Sequence, residues 1–239
     1  MIFFLLDHVL DHANNLRRAA GFSTLIDSTP GVIKAWETFC KDYNLGDHLE
    51  VSHATHGRRL YDTLKELCHI EDEDTLQREI DRFEDEVIEG GPLVLPGVVQ
   101  LLEKLLADPH TANAWTIVTS ATNKYAPRAL ERCGVPLPPK GYVTSNDVAR
   151  GKPHPDPYLA GAQTCGKDPI KCLVVEDAPS GLLSGRAAGS LTLAVGTGIG
   201  LDAIKATNTT ADFMVTDLTK VTVEWVDGQL EVTVDGSLP

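Results

Sequence analysis

The chain predicts an α/β protein: a parallel sheet flanked by helices, with a small helical unit inserted near its start and a β-hairpin near its C-terminus. Three observations lead there. From Ala114 onward, short β-branched runs alternate with helical stretches, the pattern of a parallel sheet covered on both faces. From Thr29 to Glu89 the apolar residues recur instead at helical spacing. Residues 221–234, "VTVEWVDGQLEVTV", alternate apolar and polar about Asp227-Gly228, a strong hairpin signal.

Taken in order, "MIFFLL" is an apolar run too short for a membrane span and without the basic flank or cleavage site of a signal peptide. "ANNLRRA" (13–19) is polar and compatible with helix. "PGVIKAWETFCKDY" opens with Pro30 behind two candidate caps, Ser28 and Thr29. "RRLYDTLKELC" and "DEDTLQREIDRFEDEVIE" repeat the helical pattern, the second with an acidic first turn that suits a helix N-terminus. "GGPLVLPGV" (90–98) is a turn-rich hinge. Beyond it, "AWTIVTS", "GYVTSNDV", "KCLVVED", "LTLAVGTG" and "DFMVTDL" read as strands. "NKYAPRALERCG", "PYLAGAQTCG" and "GLLSGRAAG" read as helices. "CLVV" is apolar at consecutive positions, as a strand buried on both faces must be.

The net charge of −13 argues against a nucleic-acid partner, whose phosphates such a field repels. Five scattered cysteines without C-x-x-C spacing suggest reduced thiols in a cytoplasmic protein rather than disulfides or a zinc site. No membrane association is expected.

In open parallel sheets ligands collect at the carboxyl ends of the strands, and three of those ends carry polar residues. Ser120 follows "IVT", and the N–H groups of Ala121 and Thr122 behind it are placed to meet an anion at the start of a helix. An ordinary helix cap is the competing reading of Ser120. Lys152 stands in "RGKPHPDPY", which its three prolines keep out of regular helix. A stiff loop holds an ammonium well toward phosphate or carboxylates, although most lysines are simply solvated. Glu176 and Asp177 directly follow the buried strand. Carboxylates there need a cation or a lysine, and hard oxygen ligands suit Mg2+. A helix cap would explain Asp177 but not the pair.

In this order and at these strand ends, "TS", "GKPHPDPY" and "VVEDAPSG" resemble the second, third and fourth motifs of the haloacid dehalogenase-like (HAD) hydrolases. "HGRRLYD" (56–62) with "GKPHPDPYLAG" brings the chain close to the fungal glycerol-3-phosphate and 2-deoxyglucose-6-phosphate phosphatases, which it resembles within that superfamily. The resemblance implies a Rossmann-like parallel sheet core (1–29 and 96–239) and a small helical cap (30–95) inserted after the first strand. It implies Mg2+-dependent hydrolysis of a small sugar or polyol phosphate through an aspartyl-phosphate. Ser120, Lys152 and Asp177 would then be catalytic. Ser120, Ala121, Thr122, Lys152, His56 and Arg59 would contact substrate, and Glu176 and Asp177 would hold the metal. A solvated helix start is the other reading of His56 and Arg59.

The chain departs from the family at its first motif, D-x-D-G-T. Thr24 is in place, but Ser23 occupies the glycine position, Phe22 the acid/base position and Ala20 the nucleophile position. Three readings stand open. Residues 1–23 are not the front of the working enzyme, through an alternative start, a mis-joined exon or a translated intron. Or the chain is a catalytically impaired relative that binds phosphate or sugar phosphate in a regulatory role. Or Asp7, at the end of the apolar "IFFLL" run, replaces the nucleophile. That run also has the composition to fill a vacant central strand position.

Overall fold

A computed structural model describes residues 2–5, 8–12, 24–207, 209–227 and 229–236, the first two segments by their backbone. Asp7, Ala20, Phe22, Ser23, the "ANNLRRA" segment and Gly228 of the hairpin lie outside the described residues.

A five-stranded sheet forms the centre, in the order β5(Trp115–Ile117), β1(Ile2–Leu5), β6(Cys172–Glu176), β7(Leu191–Val195), β8(Phe213–Val215). β6, β7 and β8 run parallel, as their alternation with helices predicts. Every residue of β6 is buried. Along β7, Leu193 and Val195 join one apolar cluster while Ala194 joins another, with Leu182 and Ile204. Both faces of that strand are therefore covered, by the period-2 alternation of a strand. Ile2–Leu5 of the "IFFLL" run do occupy a central position, as β1, but the strand runs antiparallel to both neighbours. The expectation of a parallel sheet is corrected at that one strand.

Another strand expectation is corrected outside β5. "GYVTSNDV" contributes a single parallel bridge, Val143 to Val118. The cause is local: Thr144 and Asp147 form a reciprocal capping box, which bends the chain into a 3-10 turn directly after Val143. The hairpin is present as β9(Val221–Val226) and β10(Gln229–Asp235). β2(His8–His12) adds to β10 in parallel, a pairing the sequence does not announce.

The helical unit comprises α1(Thr29–Tyr43), α2(His48–Thr55), α3(Leu60–Leu67) and α4(Glu73–Glu89). Asp47 and Asp72 cap α2 and α4 by accepting from first-turn amides. The unit has its own apolar cluster, in which Trp36 and Phe83 meet edge to face at 4.9 Å. α1 and α4 approach closely at Gly31, where a Cβ would lie 2.4 Å from the Val87 carbonyl. Its two connections to the sheet lie side by side as β3(Ile26–Asp27) and β4(Leu93–Val94). The remaining helices are α5(Val98–Ala107), α6(Pro109–Ala112), α7(Tyr125–Arg132), α8(Asp156–Cys165), α9(Pro179–Ala187) and α10(Leu201–Ala206). α8 packs on β5 and β1, and α9 on β6 and β7. No helix among the described residues is long and apolar enough to cross a membrane.

Candidate active site

A cavity of about 290 Å3 lies between the helical unit and the carboxyl ends of the strands. Into it converge Ser120 from the end of β5, Lys152 from the proline-rich loop, Glu176 and Asp177 from the end of β6, and His56 from the helical unit. Residues far apart in sequence meet because parallel strands deliver their carboxyl ends to one edge.

The Lys152–Glu176 pair is nearly inaccessible, each side chain 1% exposed. Lys152 Nζ donates to Glu176 Oε1 at 3.1 Å, and the Tyr158 hydroxyl donates to the same oxygen at 3.0 Å. Glu176 Oε2 accepts from the Asp177 and Ala178 amides at 3.0 and 3.3 Å. Four donors thus satisfy one carboxylate, the condition for burying it. Burial and the neighbouring Glu176 charge hold the Tyr158 phenol well above its ordinary range. Gly181, in the first turn of α9, leaves room for this carboxylate: a Cβ there would stand 1.5 Å from Oε1.

Asp177 Oδ1 accepts from the Thr24 hydroxyl, and Oδ2 lies 3.0 Å from His56 Nε2. Burial opposes ionisation of Asp177, but the hydrogen bonds from His56 and Thr24 outweigh it and pull the carboxyl far below its usual range. Burial likewise opposes the charged imidazole, yet Asp177 and Glu176 together raise the His56 pKa above its ordinary value.

Ser120 does not cap α7; its hydroxyl donates to the Gly57 carbonyl at 2.9 Å. The Ala121 amide donates to Thr119 Oγ1 at 3.1 Å. The Thr122 amide, expected to meet an anion, donates instead to Glu84 Oε1 at 3.0 Å, and the Thr122 hydroxyl donates to Oε2. Arg59 is turned from the cavity: its guanidinium lies over the Tyr61 ring, and NH1 donates to the Ala149 carbonyl at 3.2 Å. It ties the helical unit to the loop that carries Lys152. Gly57 (φ 74°) is a second close approach, since a Cβ would meet the Ala178 and Ser180 side chains. The segment 56–59 is therefore pinned to the core through Ser120, Asp177, Ser180 and Ala149.

Tyr158, Tyr125 and Glu84 were not expected at the site from the sequence, which placed Thr24 only in the first motif and Ser28 only as a candidate cap. Ser28 is not a side-chain cap for α1; its hydroxyl pairs with the Tyr125 hydroxyl at 2.9 Å. Burial pushes the Tyr125 phenol up to about 12, with the Glu84 charge adding to it. Glu84 is 5% exposed, and burial raises its pKa although Thr122 pulls the other way. Its signal was available: Glu84 falls four residues after Ile80 and eight after Leu76, on the buried stripe of α4 rather than its wet side. Among the described residues no three His, Cys, Asp or Glu side chains converge as a metal site.

Residues 23–195 match the haloacid dehalogenase-like hydrolase family. The chain belongs to this family. The match begins at Ser23, one residue before the Thr24 that contacts Asp177. Within the family the chain is 39% identical to hexitol phosphatase A of Escherichia coli over 72% of its own length and 78% of that protein. It is 35% identical to glycerol-1-phosphate phosphohydrolase 2 of Saccharomyces cerevisiae, over 76% and 74%. A crystal structure of a hydrolase from Pseudomonas syringae superposes with a TM-score of 0.69 at 22% identity, covering 88% of this chain and 94% of that one. At that identity the likeness is one of fold, and it takes in most of the chain.

Proposed function

We propose that the cavity is a phosphate-monoester site of the phosphatase type, taking a small sugar or polyol phosphate together with Mg2+. The observation that carries this reading is the meeting of Ser120, Lys152, Glu176 and Asp177 at one cavity, with His56 against Asp177. Relatives named for hexitol and glycerol phosphates support the substrate class. The five free thiols fit a reducing, cytoplasmic setting.

In this reading each polar group at the wall exchanges a protein partner for the ligand. Ser120 turns its hydroxyl from the Gly57 carbonyl to a phosphoryl oxygen, which removes one of the four ties on the 56–59 segment. Lys152, held in place by Glu176, supplies the positive charge that a phosphate dianion needs in a region of low dielectric. Asp177 would hold Mg2+, a cation that one or two carboxylates suffice to bind, whereas Glu176, expected beside it, has both oxygens engaged by four donors. Asp177 is the ligand that faces the cavity, once it releases His56. When bound, the ion offsets charge building on the phosphoryl group. His56 then turns Nε2 from Asp177 toward the ester. Arg59 holds the Lys152 loop in place.

Hydrolysis through a phosphoenzyme further requires a carboxylate at the phosphorus. Ala20 and Phe22 cannot supply one, which favours a second reading: a binding protein for the same ligand without turnover. Thermal-shift titration of the full chain with orthophosphate, with and without Mg2+, tests the site. We expect Mg2+-dependent stabilisation that Lys152→Met abolishes; absence of any phosphate binding overturns both readings. Phosphate release from sorbitol 6-phosphate, lost in Asp7→Asn, would place the nucleophile at Asp7. Binding without release supports the second reading, and Ala20→Asp with Phe22→Asp should then restore turnover.

A further inference from the structure

The cavity has a second polar end, which the motif residues do not account for. It is built from Glu84 on α4, Tyr125 on α7 and Ser28 ahead of α1, all of which line the cavity. The same lining includes the apolar Leu25, Trp36 and Phe83.

The two buried glutamates differ in how fully they are used. Glu176 accepts four hydrogen bonds, whereas Glu84 accepts two among the described residues, both from Thr122. A carboxylate offers roughly four lone-pair sites, so Glu84 retains acceptor capacity toward the cavity. The Ser28–Tyr125 hydroxyl pair is complementary. Two hydroxyls that share one hydrogen bond keep one proton and several lone pairs for a third partner. Side by side, these groups present acceptors and a donor, which is what a ligand hydroxyl needs. In an apolar wall they are also the groups whose loss leaves a ligand hydroxyl unpaired.

We infer that Glu84, with Tyr125 and Ser28, is the specificity-determining end of the site, accepting a hydroxyl of the ligand remote from its phosphate. The ligand class is then a phosphate monoester with a free hydroxyl at its far end and a carbon chain packed on the apolar wall. The inference rests on the phosphate-ester reading above and adds the half of the ligand which that reading leaves open.

Calorimetric titration of the full chain with Mg2+ tests it, using orthophosphate, propyl phosphate, sn-glycerol 3-phosphate and sorbitol 6-phosphate as probes. Wild type should bind the two hydroxyl-bearing esters more tightly than propyl phosphate. Glu84→Gln preserves an acceptor for the Thr122 amide and should weaken only those two esters, by about tenfold, the size of one lost hydrogen bond to a charged group. Tyr125→Phe should do the same to a smaller degree, and stands in if Glu84→Gln fails to fold. Equal weakening of all four probes would show that Glu84 acts only by holding the Ser120 loop, and would overturn the inference. So would no change in any of them. If wild type binds neither orthophosphate nor any ester, the phosphate reading itself fails and takes this inference with it. If orthophosphate and propyl phosphate bind as well as the polyol esters, only the inference fails.

Discussion

Glu176 and Glu84 are both buried carboxylates at one cavity, yet the fold treats them in opposite ways. Glu176 is 1% exposed and meets an ammonium, a phenol and two amides. Glu84 is 5% exposed and, among the described residues, accepts only from the amide and hydroxyl of Thr122. One is a closed ion pair whose charge serves the strand ends. The other is an under-subscribed acceptor whose charge is costly where it stands. Burial of charge by itself therefore says little about role; the number and type of donors says more.

The difference can be broken from its strong side first. Lys152→Met leaves Glu176 buried with only neutral donors, and removing one partner of a buried pair costs about 3–5 kcal/mol. We expect urea denaturation to report a loss of that size, whereas the Glu84→Gln variant should stay within about 1 kcal/mol of wild type. Comparable losses in the two would erase the contrast. Next in size, Gly181→Ala forces a methyl into Glu176 Oε1 and should cost about 1–3 kcal/mol, in the range of overpacked cores. Alanine is otherwise the better helix residue, so a stabilised Gly181→Ala protein would show that the Glu176 carboxylate relocates freely.

A smaller effect sharpens the Glu84 side. Its carboxyl is raised above 4.5 in the fold, by burial. The native state then holds more protons than the unfolded chain as pH rises from the unfolded pKa toward the folded one. Stability contributed by this group is full below the unfolded pKa and is lost as pH climbs through the folded pKa. Melting temperature followed upward from pH 4 should fall less steeply in Glu84→Gln than in wild type; parallel curves would refute the assignment. Smallest of all, the exposed Lys65–Glu73 pair serves as a control. Glu73→Gln should leave the urea midpoint within error, since exposed pairs are screened.

How much of this was legible beforehand depends on whether a feature is local. α1, α3, α4, α7, α8 and α9, and strands β5 to β10, follow from apolar periodicity, caps and the Asp227 turn, all of which act within a few residues. The placement of Ser120, Glu176 and Asp177 at strand ends, with Lys152 on its proline-rich loop, was legible as well, because strand ends can be located from the strands that precede them. Arg59 and Thr122, each expected to face a ligand, make internal hydrogen bonds in the fold: Arg59 reaches Ala149 and Thr122 reaches Glu84. Their targets lie 90 and 38 residues away, beyond any local pattern. Val143 closes one bridge rather than a strand because the Thr144 capping box won locally.

Residue order and spacing were enough to specify the α/β class, the helical insert and the identity of the charged residues at the strand ends. The direction of β1, the four donors around Glu176 and the placing of Glu84 beside Tyr125 were settled by packing. Each depends on which surfaces meet once the chain has closed on itself. A carboxylate becomes half of an ion pair or an open acceptor according to the donors that distant segments bring to it.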